Sequence, residues 1–174
     1  MATVKRRGDA PAVAQVDAYT VGGTVEVGDL FVHTVSNKTL SVAATNTNTE
    51  VTAGVIATAW NALSSTTYPE FAEATASNSA SVVSFTADTA GKPFTLATST
   101  TESNGGAADD QTYSGSTTTA NAGPNVWSTA ANWTGGSAPA NTDTVWIENS
   151  TVSLLYGLAQ SSITLTALNI PNSF

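Results

Sequence analysis

Cysteine is absent from this chain, so no disulfide, thiolate metal site or cysteine nucleophile can form. Charge is scarce as well: 10% of the 174 residues are charged, where an ordinary globular domain has roughly 25%. Lys and Arg number 5 against 13 Asp and Glu, for a formal net charge of −8. Nucleic-acid affinity needs clustered cations on a free surface, so no nucleic-acid partner is expected. No apolar run approaches the roughly 18 residues of a membrane span, and no apolar segment follows the N-terminal charges as in an export signal. The expectation is therefore a protein made in the cytoplasm of its producing cell, without a membrane partner.

Catalytic chemistry is equally thin. The one histidine, His33, lies mid-strand between Val32 and Thr34, and the reading places it on the face opposite Phe31, toward solvent, without a positioned acid or nucleophile. Glu70 and Glu73 bracket Phe71, and Asp143 with Glu148 near the tryptophans imitates a glycosidase pair, but Asp143 reads better as a turn residue before a strand. Asp109-Asp110 lacks the alternating acidic loop of a calcium site, and no Gly-rich loop ends in Gly-Lys-Ser or Gly-Lys-Thr. No enzyme activity, no metal and no cofactor is expected.

What fills the chain instead is Thr, Ala, Ser and Asn, arranged in short β-type segments. Residues 1–15 read as an extended arm: small residues, Pro11 and no apolar period. Tyr19-Thr-Val21, Thr24 to Val27 and Leu30 to Val35 read as strands, and Asn37-Lys38 as a hairpin turn into Thr39 to Val42. Thr47-x-x-Glu50 has the form of a capping box, with Val51, Val55, Ile56, Ala59, Trp60 and Leu63 as a helical stripe behind it. Pro69 bars continuation, and strands follow at 71–76, 81–87 and 94–100. One amphipathic helix across an antiparallel sheet makes a small α+β module over 16–101, with a mainly β fold class overall. Residues 102–123 are rich in Gly, Ser, Thr and Ala and read as a flexible linker, with Thr112-Tyr113 able to form a short strand on the module's edge.

Residues 124–174 carry the most specific pattern. Trp127 is followed by Asn132-Trp133, Gly136, Pro139, Asp143, Val145 and Ile147, and short strands recur at 145–148, 152–156 and 163–170. This W-x-x-x-x-N-W-x-x-G-x-x-P-x-x-x-D-x-V-x-I run resembles the entry into parallel β-helices of bacterial surface proteins and phage spikes. The run V-G-G-T-V-E-V-G-D-L-F at 21–31, the helix ending in W-N-A and the segment V-V-S-F-T-A-D-T-A-G-K-P-F-T-L resemble a module recurrent in phage tail and virion-surface proteins. The resemblance implies a bacteriophage virion-surface protein, a capsid decoration or head fibre, or the anchor of a tail fibre or spike, with a β-solenoid-like segment at 124–174.

On that footing the chain is expected to be a non-enzymatic structural protein located on the virion and leaving the cell by lysis. Its partners are other virion proteins of the capsid or tail, and copies of itself in a homo-oligomer, a trimer by preference. Lys5, Arg6 and Arg7 crowd the N-terminus of an acidic chain and are the expected contacts of the arm with an acidic neighbour. Arg7-Gly8-Asp9 matches an integrin-type tripeptide too short to carry a function. Trp127, Trp133 and Trp146 are candidates for contact with a host-surface glycan or a neighbouring subunit, the plugging of a first coil or the sealing of a subunit interface being preferred over a sugar platform. The alternatives are a carbohydrate-binding adhesin module, or the N-terminal anchor of a polysaccharide-degrading tailspike. The segment from Ile170 carries no closing cap pattern, so continuation past Phe174 or completion by neighbouring subunits is expected.

Overall fold

The computed structural model describes residues 2–102, 110–148 and 151–171. In chain order the elements are β1 (Thr3–Lys5), β2 (Val16–Gly23), β3 (Leu30–Val35), β4 (Lys38–Ala43), α1 (Thr49–Asn61), β5 (Ala74–Ser79), β6 (Val82–Ala87), β7 (Leu96–Thr101), β8 (Gln111–Thr119), β9 (Thr144–Trp146) and β10 (Ala167–Asn169). Short 3-10 turns lie at Phe71–Glu73 and Ala130–Asn132. The chain is mainly β, with three sheets and one α-helix among the described residues. No helix of the described residues is long and apolar enough to cross a membrane. Two compact units form: Gln15–Thr89 with Phe94–Ala120, and Met1–Ala14 with Ala90–Pro93 and Asn121–Phe174.

The first of these units follows from period-2 alternation. In β2 the inward positions are Asp17, Tyr19 and Val21, in β3 Phe31, His33 and Val35, and in β6 Val83, Phe85 and Ala87. Two antiparallel sheets result, in the orders β5-β6-β2-β8 and β4-β3-β7. They meet through rings: Tyr113 of β8 lies 5.6 Å from Phe31 and 5.2 Å from His33, and His33 lies 5.7 Å from Phe85. The β3–β4 hairpin closes in two residues, with Ser36 at φ 54°, the left-handed backbone such short turns require. Trp60 brings α1 onto this core, 4.5 Å from Phe85 and 4.8 Å from Phe71.

The helix starts one residue later than the capping box suggests. Asn48 is the cap, and its Oδ1 accepts from the backbone N–H groups of Glu50 (2.8 Å) and Val51 (3.3 Å). The buried face is Thr52, Ala53, Ile56, Ala57 and Trp60, so Ile56 and Trp60 lie where expected while Val51 points outward. The linker expected at 102–123 contains β8, an edge strand running along the whole of β2; residues 103–109 lie outside the described ones. Its hydroxyl-rich sequence suits an exposed edge, and Gly115 is required there, because a Cβ would stand 2.0 Å from the Ala18 carbonyl oxygen.

The second unit is built on parallel pairing. β9 lies between β1 and β10, with Val4, Val145 and Leu168 in one register column. Around this sheet the chain stacks segment on segment: Thr142 N–H donates to Thr164 O, Thr166 N–H to Asp143 O, Ile147 N–H to Asn169 O and Trp127 N–H to Tyr156 O. Its core is Val4, Trp127, Trp133, Val145 and Ile147, with Leu154 and Leu165 packed against it. Of the expected arm 1–15, the described residues up to Ala14 thus belong to this unit, with Thr3–Lys5 as one of its strands. A three-residue strand offers almost no periodicity to read, and its pairing partner lies at the other end of the sequence.

Candidate functional site

The N-terminal cations reach three different fates within this second unit. Lys5 Nζ pairs with Glu148 Oε1 at 2.6 Å on the surface, and Arg7 pairs with Asp9 at 3.3 Å with both side chains exposed. Arg6 is buried at 4% exposure. Its Nη2 donates to the carbonyl oxygens of Pro124 (2.8 Å), Val152 (2.9 Å) and Ser153 (3.3 Å), and burial lowers its pKa from the usual arginine value. Arg6 therefore stitches its own unit together and is not free to reach an acidic neighbour; of the three expected contact residues, Arg7 and the outer part of Lys5 remain accessible.

Asn132 holds the arm to the tryptophan turn. Wholly buried, it accepts from Ala10 N–H at 3.2 Å on Oδ1, and its Nδ2 donates to Gly123 O and Val126 O, both at 2.8 Å. Its backbone oxygen receives Arg7 N–H at 2.6 Å. Trp133 follows it into the core, donating from Nε1 to Trp127 O at 2.7 Å with its ring 4.8 Å from that of Trp127. Both indoles are buried, so they offer no open face for a sugar ring; Trp146 is half-buried on β9. Asn132→Asp replaces two buried N–H donors by a carboxylate facing two carbonyl oxygens. It is expected to cost at least about 2 kcal/mol, seen as a lower urea midpoint by tryptophan fluorescence; an unchanged midpoint rules this role out.

Among the described residues, aliphatic side chains stand exposed on one side of this unit. Leu155, Leu158, Leu168 and Ile170 are each 55–56% or, for Leu168, 50% exposed. Leu158, Leu168 and Ile170 border a cavity of about 380 Å³ that Arg6, Trp127 and Ile147 also line. Arg6 Nε and Nη1 and Trp127 Nε1 are buried without hydrogen-bond partners among the described residues. The exposed aliphatic rim suits an added strand that brings aliphatic side chains. The sequence reading found the tryptophans but not this surface, whose signal is the spaced Leu155, Leu158, Leu168 and Ile170.

His33, expected to face solvent, is wholly buried, because residues two apart in a strand share a face and Phe31 and Val35 turn inward with it. Its Nε2 lies 3.1 Å from Tyr113 Oη, and burial pushes its pKa down to about 4. The carbonyls of Leu40 and Phe31 oppose this shift weakly, without a well-formed hydrogen bond to Nδ1. The unfolded chain takes up the proton first, so the stability that His33 confers is complete above about 6.5 and falls as pH drops toward 4. A shift of this size corresponds to about 3 kcal/mol. His33→Gln is expected to flatten that part of a stability-versus-pH curve; a curve identical to the parent's contradicts the assignment.

No protein-family model matches the chain, and no curated protein matches it.

Proposed function

We propose that the chain is a non-enzymatic structural protein of a phage particle, anchoring or decorating the virion surface on the head or at the base of a tail fibre. The observation that carries this reading is the column Val4, Val145, Leu168. Its first two members are buried at 6% and 0%, while the third is half exposed in the same register. A parallel stack that leaves its last rung uncovered is suited to continue as a solenoid-like shaft, built by further strands that neighbouring subunits or further coils supply. Closed symmetry, a homotrimer by preference, is a means of hiding such an edge. The hydroxyl-rich, charge-poor surface fits an object exposed outside the cell.

The adhesin alternative needs an aromatic platform, and the burial of Trp127 and Trp133 weighs against it. Immunogold labelling of particles released by lysis of the producing cells tests the proposal, using antibody against the purified chain. Label at regular positions on heads or tails is the expected result. Label confined to cell debris, with none of the chain detected by mass spectrometry in purified particles, overturns it.

A further inference from the structure

Three carboxylates that are distant in sequence meet in the unit Gln15–Thr89 with Phe94–Ala120. Glu26 and Asp29 belong to the loop from β2 to β3, and Glu102 follows directly on β7. Leu30 pairs with Thr101 in the β3–β7 ladder, so Asp29 and Glu102 are the next residues outward on adjacent strands. Gly28, at φ 104°, gives the loop the backbone that turns Asp29 inward. One oxygen from each of the three side chains lies within 4.8 Å of the others.

The second observation is the state of Asp29. It is 0% exposed. Its Oδ2 accepts the backbone N–H of Glu26 at 2.7 Å, while Oδ1 finds no N–H or hydroxyl donor among the described residues and the carboxyl group lies within hydrogen-bonding reach of the Glu102 carboxyl. A buried carboxylate oxygen without a donor, next to a second carboxylate, is costly unless a cation or a proton balances it. Lys38 is the only Lys or Arg in this unit's sequence, and it pairs with Val35 at the end of β3 away from Leu30. Asp110, which precedes β8, adds further negative charge that Asp29 feels. Among the described residues of this unit, the surroundings of Asp29 supply repulsion and no Lys or Arg side chain.

We infer that Glu26, Asp29 and Glu102 bind one calcium ion. Calcium–oxygen distances of about 2.3–2.6 Å allow two ligand oxygens on opposite sides of one ion to stand roughly 4.6–5.2 Å apart. Three oxygens that all lie within 4.8 Å of one another fit inside such a shell, which takes about 6–8 oxygens in flexible geometry. Magnesium, at about 2.0–2.1 Å and with strict octahedral geometry, draws opposite oxygens to about 4.2 Å and holds its waters tightly. Backbone carbonyls and water complete a calcium shell. The bound ion ties the β2–β3 loop to the end of β7, fixing the ends of two strands that share a sheet.

The test uses the full chain after dialysis against a chelator, with calorimetric titration of calcium chloride and of magnesium chloride. Calcium is expected to bind at one ion per chain and raise the melting temperature, and magnesium to do so far more weakly. Glu26→Gln, in a half-buried loop position, and Glu102→Gln are each expected to weaken calcium binding roughly tenfold or more, as the site loses ligand charge. Asp29→Asn is expected to abolish the calcium-induced rise; should that variant fail to fold, the other two decide. A parent chain that takes up no calcium at millimolar concentration overturns the inference, a shared proton then being the balance. So does calcium binding that both Gln variants retain at parental affinity, or magnesium binding as tight as calcium.

Discussion

Trp60→Ala is expected to lower the stability of the unit Gln15–Thr89 with Phe94–Ala120 by about 3–5 kcal/mol, the usual cost of truncating a large buried aromatic side chain. Trp60 is 2% exposed and touches both sides of that unit's core. Its ring lies 4.5 Å from Phe85, 4.8 Å from Phe71 and 6.1 Å from His33, so one substitution removes three aromatic contacts. Its Nε1 also donates to Ala74 O at 2.7 Å, and the truncated chain leaves that buried acceptor without its indole donor. Trp60→Phe keeps much of the packing and loses the hydrogen bond, so about 1–2 kcal/mol is expected for it. Urea denaturation followed by circular dichroism separates the two. A loss below about 1 kcal/mol for Trp60→Ala contradicts the role of α1 as the element that closes this core.

The helix was legible because its period is long enough to outvote individual residues. Ile56 and Trp60 fall on the stripe from spacing alone, whereas Val51 is 44% exposed because it lies off the buried face of Thr52, Ala53, Ile56, Ala57 and Trp60. The cap moved from Thr47 to Asn48 since both residue types can accept from the first free N–H groups, and only the backbone path decides between them. The β3–β4 hairpin was equally readable, its alternation being strong on both sides of the turn. Of β8 only Thr112-Tyr113 was legible as a possible edge strand, because an exposed edge strand buries few residues, here Gln111 and Tyr113, and its Ser, Thr and Gly look like a linker. The carboxylate site was hidden for a different reason. Glu26 reads as part of a strand over Thr24 to Val27 and Asp29 merely precedes the next one, and only the β3–β7 register sets Glu102 beside them. Long-range pairing leaves no local trace, and the same holds for β1, whose one inward side chain is Val4.

Deleting residues 2–9 is expected to unfold the second unit rather than merely detach a tail. The deletion removes β1, and with it Val4 from the core and the whole ladder on one edge of β9. It also removes Arg6 and so leaves the carbonyl oxygens of Pro124, Val152 and Ser153 without its guanidinium. The hydrogen bonds Thr134 N–H to Lys5 O, Arg7 N–H to Asn132 O and Thr144 N–H to Ala2 O go as well. Burial of one valine is worth about 1.5–3 kcal/mol, and each hydrogen bond contributes about 0.5–1.5 kcal/mol net. The sum is roughly 5 kcal/mol or more, against a usual domain stability of about 5–15 kcal/mol. Trp127 and Trp133 are buried reporters of this unit, so their emission is expected to shift to longer wavelength, and limited proteolysis to cut within 121–171. Arg6→Met, which keeps the stem and removes the charge, is expected to fall between parent and deletion, because it leaves the three carbonyls unsatisfied but preserves β1. High salt is expected to leave the parent nearly unmoved, since the Arg6 contacts are buried and reach carbonyls rather than exposed carboxylates. A truncated chain with the parent's emission maximum and cleavage pattern would falsify the assignment of β1 to this fold, and residues 2–9 would then be the loose tail that their composition suggests.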